Sequence, residues 1–285
     1  MAPRSGLRLS STRTQRLWCE SHRHPPFPSD VEQFAATYYV PSRAVLTVSG
    51  SVDSRHMRAL IEKNFGRIRS HAPFSVLEGR AAATVEEEPE LDADRVMAHR
   101  DPHAPHPATA IAFRAPVRRG ISRNLLAAVL LADILVNHPL GRLDRVADER
   151  GGITEVASYL GLFGNPFDGR NPLPFVVEVF HQKDLSTTDA VAMVRHTLAG
   201  IANEGLEQGE VTRTARRIAA QMWRTQDQVM GRALMTGSIE LIHGDSAKVL
   251  DLPHTLLQIT AAEVRAVARD LLAQKVAVLT LEVGR

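Results

Sequence analysis

A pattern that occurs twice, near opposite ends of the chain, constrains the fold more than any single motif. In the first copy Ser29 and Glu32 have the spacing of a capping box, in which the hydroxyl accepts from the third helical amide and the carboxylate reaches back to the cap. Val31, Phe34, Ala35 and Tyr38 then recur at helical spacing, and Pro41, which lacks an N–H, ends the helix at about Val40. The run Ala44–Ser49, closed by Gly50, predicts a strand, and Asp53 caps a second helix with an apolar stripe of Met57, Leu60, Ile61 and Phe65. In the second copy Thr260 and Glu263 repeat the capping box, and Val264, Val267, Ala268 and Leu271 repeat the stripe. Ala277-Val278-Leu279-Thr280 then repeats Ala44-Val45-Leu46-Thr47, and the offset is the same for helix and strand, since 264 − 31 equals 277 − 44. Capped helices followed by strands also recur by chance in α+β domains. Read as a duplication, the pattern predicts two related units that each end in helix then strand, the first lacking most of its beginning.

The rest of the chain extends this reading. Residues 1–28 are basic, contain prolines and show no period, which predicts a poorly ordered arm. Residues 29–74 hold the first unit, and 75–94, with the acidic run Glu86-Glu87-Glu88-Pro89-Glu90, reads as a solvated linker. The region 95–285 opens with two alternating runs, Arg95–His99 and Thr109–Ala115, which predict a strand pair around a proline-rich loop. Ser122 caps a core helix bearing Leu125, Leu126, Val129, Leu130 and Ile134, and Leu140–Arg150 is a shorter helix stopped by Gly151-Gly152. Ile153–Leu160 and Phe175–His181 are further strands. Ser186 with Asp189 starts a helix that ends near Gly205, and Glu207–Asp227 and Gln228–His243 are two more helices before the terminal helix and strand. Strands and helices mix without βαβ alternation, which predicts an α+β fold with a helical layer on one face of a mostly antiparallel sheet.

Composition excludes more than it selects. A formal charge of +2 over 285 residues gives no global basis for binding nucleic acid or an acidic membrane surface. No run approaches the roughly 18 apolar residues of a membrane span. The single cysteine, Cys19, rules out an intrachain disulfide and a cysteine-rich zinc site, and the expectation is a cytoplasmic protein. Cys19 has no base at a readable spacing and reads as inert. His99, Asp101, His103 and His106 form the densest set of candidate metal ligands, and imidazoles suit zinc or nickel. Pro102, Pro105 and Pro107, however, hold that loop extended with diverging side chains, so His99, His103 and His106 are weak candidates; His22 and His24 are similar. Arg213, Arg216 and Arg217, which follow Glu207 and Glu210, predict an exposed helix face with i,i+4 pairing rather than a phosphate site. There is no glycine-rich phosphate loop and no Gly-x-Ser-x-Gly elbow. No catalytic residue, cofactor site or metal site is expected in the chain itself.

The stretch FAATYYVPSRAVLTVSGSVDSRHMRALIEKNFGRI resembles the segment that closes the first domain of the pitrilysin/insulinase-like zinc metallopeptidases, with Tyr38, Tyr39, Pro41, Gly50, Asp53, Phe65 and Gly66 at matching positions. LVNHPLGRLDRVADERGGITEVAS, with Arg142-Leu143, and the helices EQGEVTRTARRIAAQM and TAAEVRAVARDLL are similar to later parts of the same family, so the resemblance runs from about Asp30 to Glu282. It implies a LuxS/mitochondrial-processing-peptidase-like fold built in duplicate, with 29–74 the remnant of the first domain and 95–285 a complete second, non-catalytic domain. The family holds zinc with an inverted His-x-x-Glu-His motif and a downstream Glu; this chain contains neither His-x-x-Glu-His nor His-Glu-x-x-His. The family's second domain also supplies an Arg and, seven residues later, a Tyr that hold substrate. The matching positions here are Ala147 and Thr154, which implies that this contribution is absent too, and Asp148, Glu149 and Arg150 read as a solvated face. The implied protein is a peptidase relative without intrinsic proteolysis. It would serve as a chamber wall or as one half of a heterodimer with a catalytic homologue, or associate with itself, with peptides as ligands. The alternative is a free-standing α+β peptide-binding scaffold.

Overall fold

The computed structural model of the chain describes residues 28–68, 90–116, 120–136, 141–161, 164–169, 173–203 and 205–284. Its contacts separate two units, a larger one formed by Glu90–Gln228 with Ile242–Arg285 and a smaller one formed by the residues before Glu90 with Val229–Leu241. The strands are β1 (Arg95–Asp101), β2 (Ala108–Arg114), β3 (Ile153–Leu160), β4 (Pro174–His181) and β5 (Ala277–Val283). The helices are α1 (Pro28–Tyr38), α2 (Ser54–Phe65), α3 (Arg123–Leu135), α4 (Arg142–Arg150), α5 (Thr187–Asn203), α6 (Gln208–Asp227), α7 (Val229–His243), α8 (Lys248–Leu257) and α9 (Ala261–Leu272).

In the larger unit the strands lie in the order β1-β5-β2-β4-β3, with β1 parallel to β5 and the other pairings antiparallel. The expected pairing of the first two strands is therefore incorrect, because β5 lies between them. Ile111 of β2 faces Val177 on one side and Val278 of β5 on the other, so the apolar strand occupies the interior of the sheet. Arg95–Arg100 of β1 is exposed throughout, which suits an edge. Burying the apolar strand outweighs the short connection between β1 and β2.

Period-two alternation then sorts the side chains. Ile111, Phe113, Val156, Phe175, Val177 and Val179 are buried on one face, where Phe113 and Phe175 meet edge to face at 6.5 Å. On the opposite face Ala110, Ala112, Tyr159, Glu178 and Phe180 are half-buried and Leu279 is exposed. Helices α3 and α4 pack on β3, α5 packs on β2, and α9 packs on α3 and α5. α6 packs on α3 and α8, which leaves α3 covered on most sides and accounts for its almost continuous apolar sequence.

Several boundaries follow from caps. Ser122 Oγ accepts from the Leu125 amide at 3.2 Å, and the Thr260–Glu263 capping box forms in both directions. Gly151 and Gly152 leave α4 with φ of 70° and 71°, a conformation open to glycine, and so turn the chain into β3. α8 escaped the sequence reading because it contains Pro253. A proline in a helix interior leaves the carbonyl four residues earlier without its amide. Here the Gln226 side-chain amide donates to that Val249 carbonyl at 3.2 Å.

The charged residues of α6 also differ from expectation. Arg217 pairs with Asp133 of α3, and Glu210 accepts both arms of Arg142 of α4, at 3.2 and 2.8 Å. These pairs fasten helix to helix in place of the expected i,i+4 contacts.

The smaller unit holds α1, a 3-10 turn at Pro41–Arg43, α2 and α7 as far as Leu241. Pro28 is already helical in α1, so Ser29 lies inside the helix and is not its cap. Asp53 does cap α2, its carboxylate accepting from the His56 amide at 2.6 Å. Ala44–Ser49 is not a strand: it joins no ladder among the described residues. α7 lies against this segment, and a Cβ on Gly237 would stand 2.7 Å from Thr47 Oγ1, so a larger residue there requires the Thr47 side chain to shift. The stripes of α1 and α2 contribute no buried residue. Of the expected arm only Pro28 is described, and of the expected linker only residues 90–94.

Candidate functional site

The histidine-rich loop is the first place to look for chemistry. His99 is exposed on β1, and His103 and His106 are exposed in the loop that follows. The Asp101 carboxylate accepts from the His103 amide at 2.8 Å, so it serves the turn. Among the described residues no group of three or more His, Cys, Asp or Glu side chains has the geometry to hold a metal. The described residues therefore do not fit the zinc that the family resemblance brings with it. Cys19, His22 and His24 lie outside the described residues.

The positions that the resemblance matches to a substrate clamp are the second place. Ala147 lies on the buried side of α4, and Thr154 is exposed near the start of β3. At these two positions the side chains are a methyl group and a short hydroxyl, where the resemblance implies a guanidinium and a phenol. Arg142, one turn earlier, is committed to Glu210, and Leu143 is fully buried. Asp148, Glu149 and Arg150 are exposed, with Arg150 3.8 Å from Asp189.

Two polar pairs were not visible in the sequence. His181 is 3 % exposed, with Nδ1 2.8 Å from the Gln182 carbonyl and Nε2 3.1 Å from Thr109 Oγ1. A carbonyl only accepts, which assigns the ring proton to Nδ1 and makes the threonine hydroxyl the donor to Nε2. The pair ties β4 to β2 beneath the helices. On the half-buried sheet face, the Tyr159 hydroxyl donates to Glu178 at 2.7 Å. Burial first, and then this carboxylate, push the phenol up to about 12. It stays protonated and orients Glu178 without acting as a base. Both pairs depend on strand register, which no local motif announces.

A mixed five-stranded sheet beneath a helical layer is the architecture of a metallopeptidase-like domain. Residues 28–218 match the family described as the peptidase M16 inactive domain, and the chain belongs to that family.

Solved structures agree on the fold. A protease from Helicobacter pylori superposes with a TM-score of 0.76 at 15% identity, over 90% of this chain and 59% of that one. The peptidase M16 inactive domain from Pseudomonas fluorescens gives 0.69 at 15% identity, over 92% and 58%. A chain of Complex III2 from Candida albicans gives 0.67 at 12% identity, over 90% and 59%. The present chain thus spans 58 to 59% of the length of these structures. No curated protein matches the sequence.

Proposed function

We propose that this chain forms a non-catalytic wall of a peptide-binding chamber whose zinc is carried by a homologue with a His-x-x-Glu-His motif. The observation that carries the reading is the match of residues 28–218 to the inactive-domain family. Ala147 and Thr154, which lack the donors of a substrate clamp, support it from within the matched segment. In this reading 29–74 closes a first domain, 75–94 links, and 95–285 is the second domain. The outward edge of β1, with Arg95–Arg100 exposed, offers an extended peptide a strand to pair with.

The test combines calorimetry with a quenched peptide library. The chain alone should bind Zn²⁺ no tighter than micromolar and cleave nothing. Addition of a catalytic homologue should give a stoichiometric complex with cleavage that a chelator abolishes. Chelator-sensitive cleavage by the chain alone would overturn the proposal.

A further inference from the structure

Within the larger unit, α3, α4 and α6 enclose a cavity of about 340 Å³, lined by Asp133, Arg145, Glu210, Arg213, Thr214 and Arg217. Glu210, Arg213, Thr214 and Arg217 converge because positions i, i+3, i+4 and i+7 share one face of a helix. Asp133 comes from the last turn of α3 and Arg145 from the start of α4.

The charges do not cancel. Glu210 is neutralised by both arms of Arg142, and Asp133 by Arg217. These pairs leave Arg145 and Arg213, neither of which has an acidic partner among the described residues. Both are exposed, so a ligand reaches them from solvent, and the Thr214 hydroxyl lies beside them on the same wall. Two guanidinium forks held at one cavity match the paired oxygens of an oxyanion, and this volume is at the lower end of small-molecule sites, roughly 300–1,000 Å³.

We propose that this cavity binds a small phosphate-class oxyanion through Arg145 and Arg213, with Thr214 as a further donor. The site is independent of the peptidase-like reading and remains whether or not a catalytic partner exists.

Calorimetric titration of the whole chain at low salt tests it, with inorganic phosphate and pyrophosphate as probes and citrate as the carboxylate arm. Saturable phosphate or pyrophosphate binding is expected, weakened about tenfold or more in Arg145→Gln/Arg213→Gln, as the loss of charged hydrogen bonds implies. Arg216→Gln, on the same helix but outside the cavity lining, should bind as the parent does. The substituted side chains are exposed, so the variants should fold normally, which circular dichroism and thermal melting would verify. Absence of saturation, equal binding by the double variant, or an equal loss in Arg216→Gln would each overturn the site. Citrate binding tighter than either phosphate probe would overturn the ligand class.

Discussion

Glu263 serves two structural purposes with one carboxylate. It accepts from the Thr260 amide and hydroxyl, each at 2.8 Å, closing the capping box of α9. It also accepts from Arg123 Nε at 2.6 Å and Nη2 at 2.9 Å, which fastens α9 to the first residue of α3. The Arg123 hydrogen bond is the main cause that holds this carboxyl at about 2, below its ordinary 4.5; burial acts in the opposite direction and Thr260 adds to the lowering. A carboxyl depressed by folding stabilises the folded state above its unfolded pKa, and that contribution disappears as pH falls through the folded value. The window therefore runs from about pH 4.5 down to about pH 2. Both side chains are partly in water, so the pair itself is screened and the cap contributes much of the effect. Glu263→Gln should cost about 1 kcal/mol at neutral pH, the usual scale for a lost cap. In a series of urea unfolding curves, the gap between parent and variant should close across that window. A gap that stayed constant would mean that the carboxylate charge is not its source.

At the level of elements, legibility follows how local the determining chemistry is. The Ser122 and Thr260 caps, the Gly151-Gly152 stop and the core face of α3 were readable because each is decided within a few residues. Sheet order was not, since β5 enters from the far end of the chain and its place is decided by what it buries. The candidate site divides in the same way. Ala147 and Thr154 are positions that only the family resemblance singles out, whereas Tyr159–Glu178 and the Arg217–Asp133 pair arise from register and helix packing. α8 was hidden because Pro253 reads as a breaker, and the tolerance of that proline rests on Gln226, a residue on another helix. This predicts a coupling. Gln226→Ala alone should cost about 1 kcal/mol, because it leaves the Val249 carbonyl without its donor. In a Pro253→Ala background the restored backbone amide satisfies that carbonyl, and the same change should cost measurably less. A double-mutant cycle from chemical unfolding reads the difference, and additivity within about 0.3 kcal/mol would refute the compensation.

For the whole molecule, the contrast between the two units is one of burial. The larger unit closes a core around Ile111, Phe113, Phe175 and α3. In the smaller unit Val31, Tyr39, Leu46 and Phe65 are 55, 81, 58 and 54 % exposed, and α1 and α2 bury no side chain. Helices of 11 and 12 residues are marginal in water when no packed face supports them, since nucleation is costly and each added residue gains little. Local opening should therefore be far easier in α1 and α2 than in β2, β4 or α3, although all belong to one chain. Hydrogen exchange followed by mass spectrometry should show the amides of α1 and α2 exchanging at least about a hundredfold faster than those of β4. Addition of a partner that covers the apolar stripes should slow α1 and α2 selectively and leave β4 unchanged, because β4 is already held by β2 and β3. Protection of α1 and α2 equal to that of β4 in the dilute free chain would show that these helices are stabilised without a partner. Protection that rose with protein concentration would instead identify a second copy of this chain as the cover.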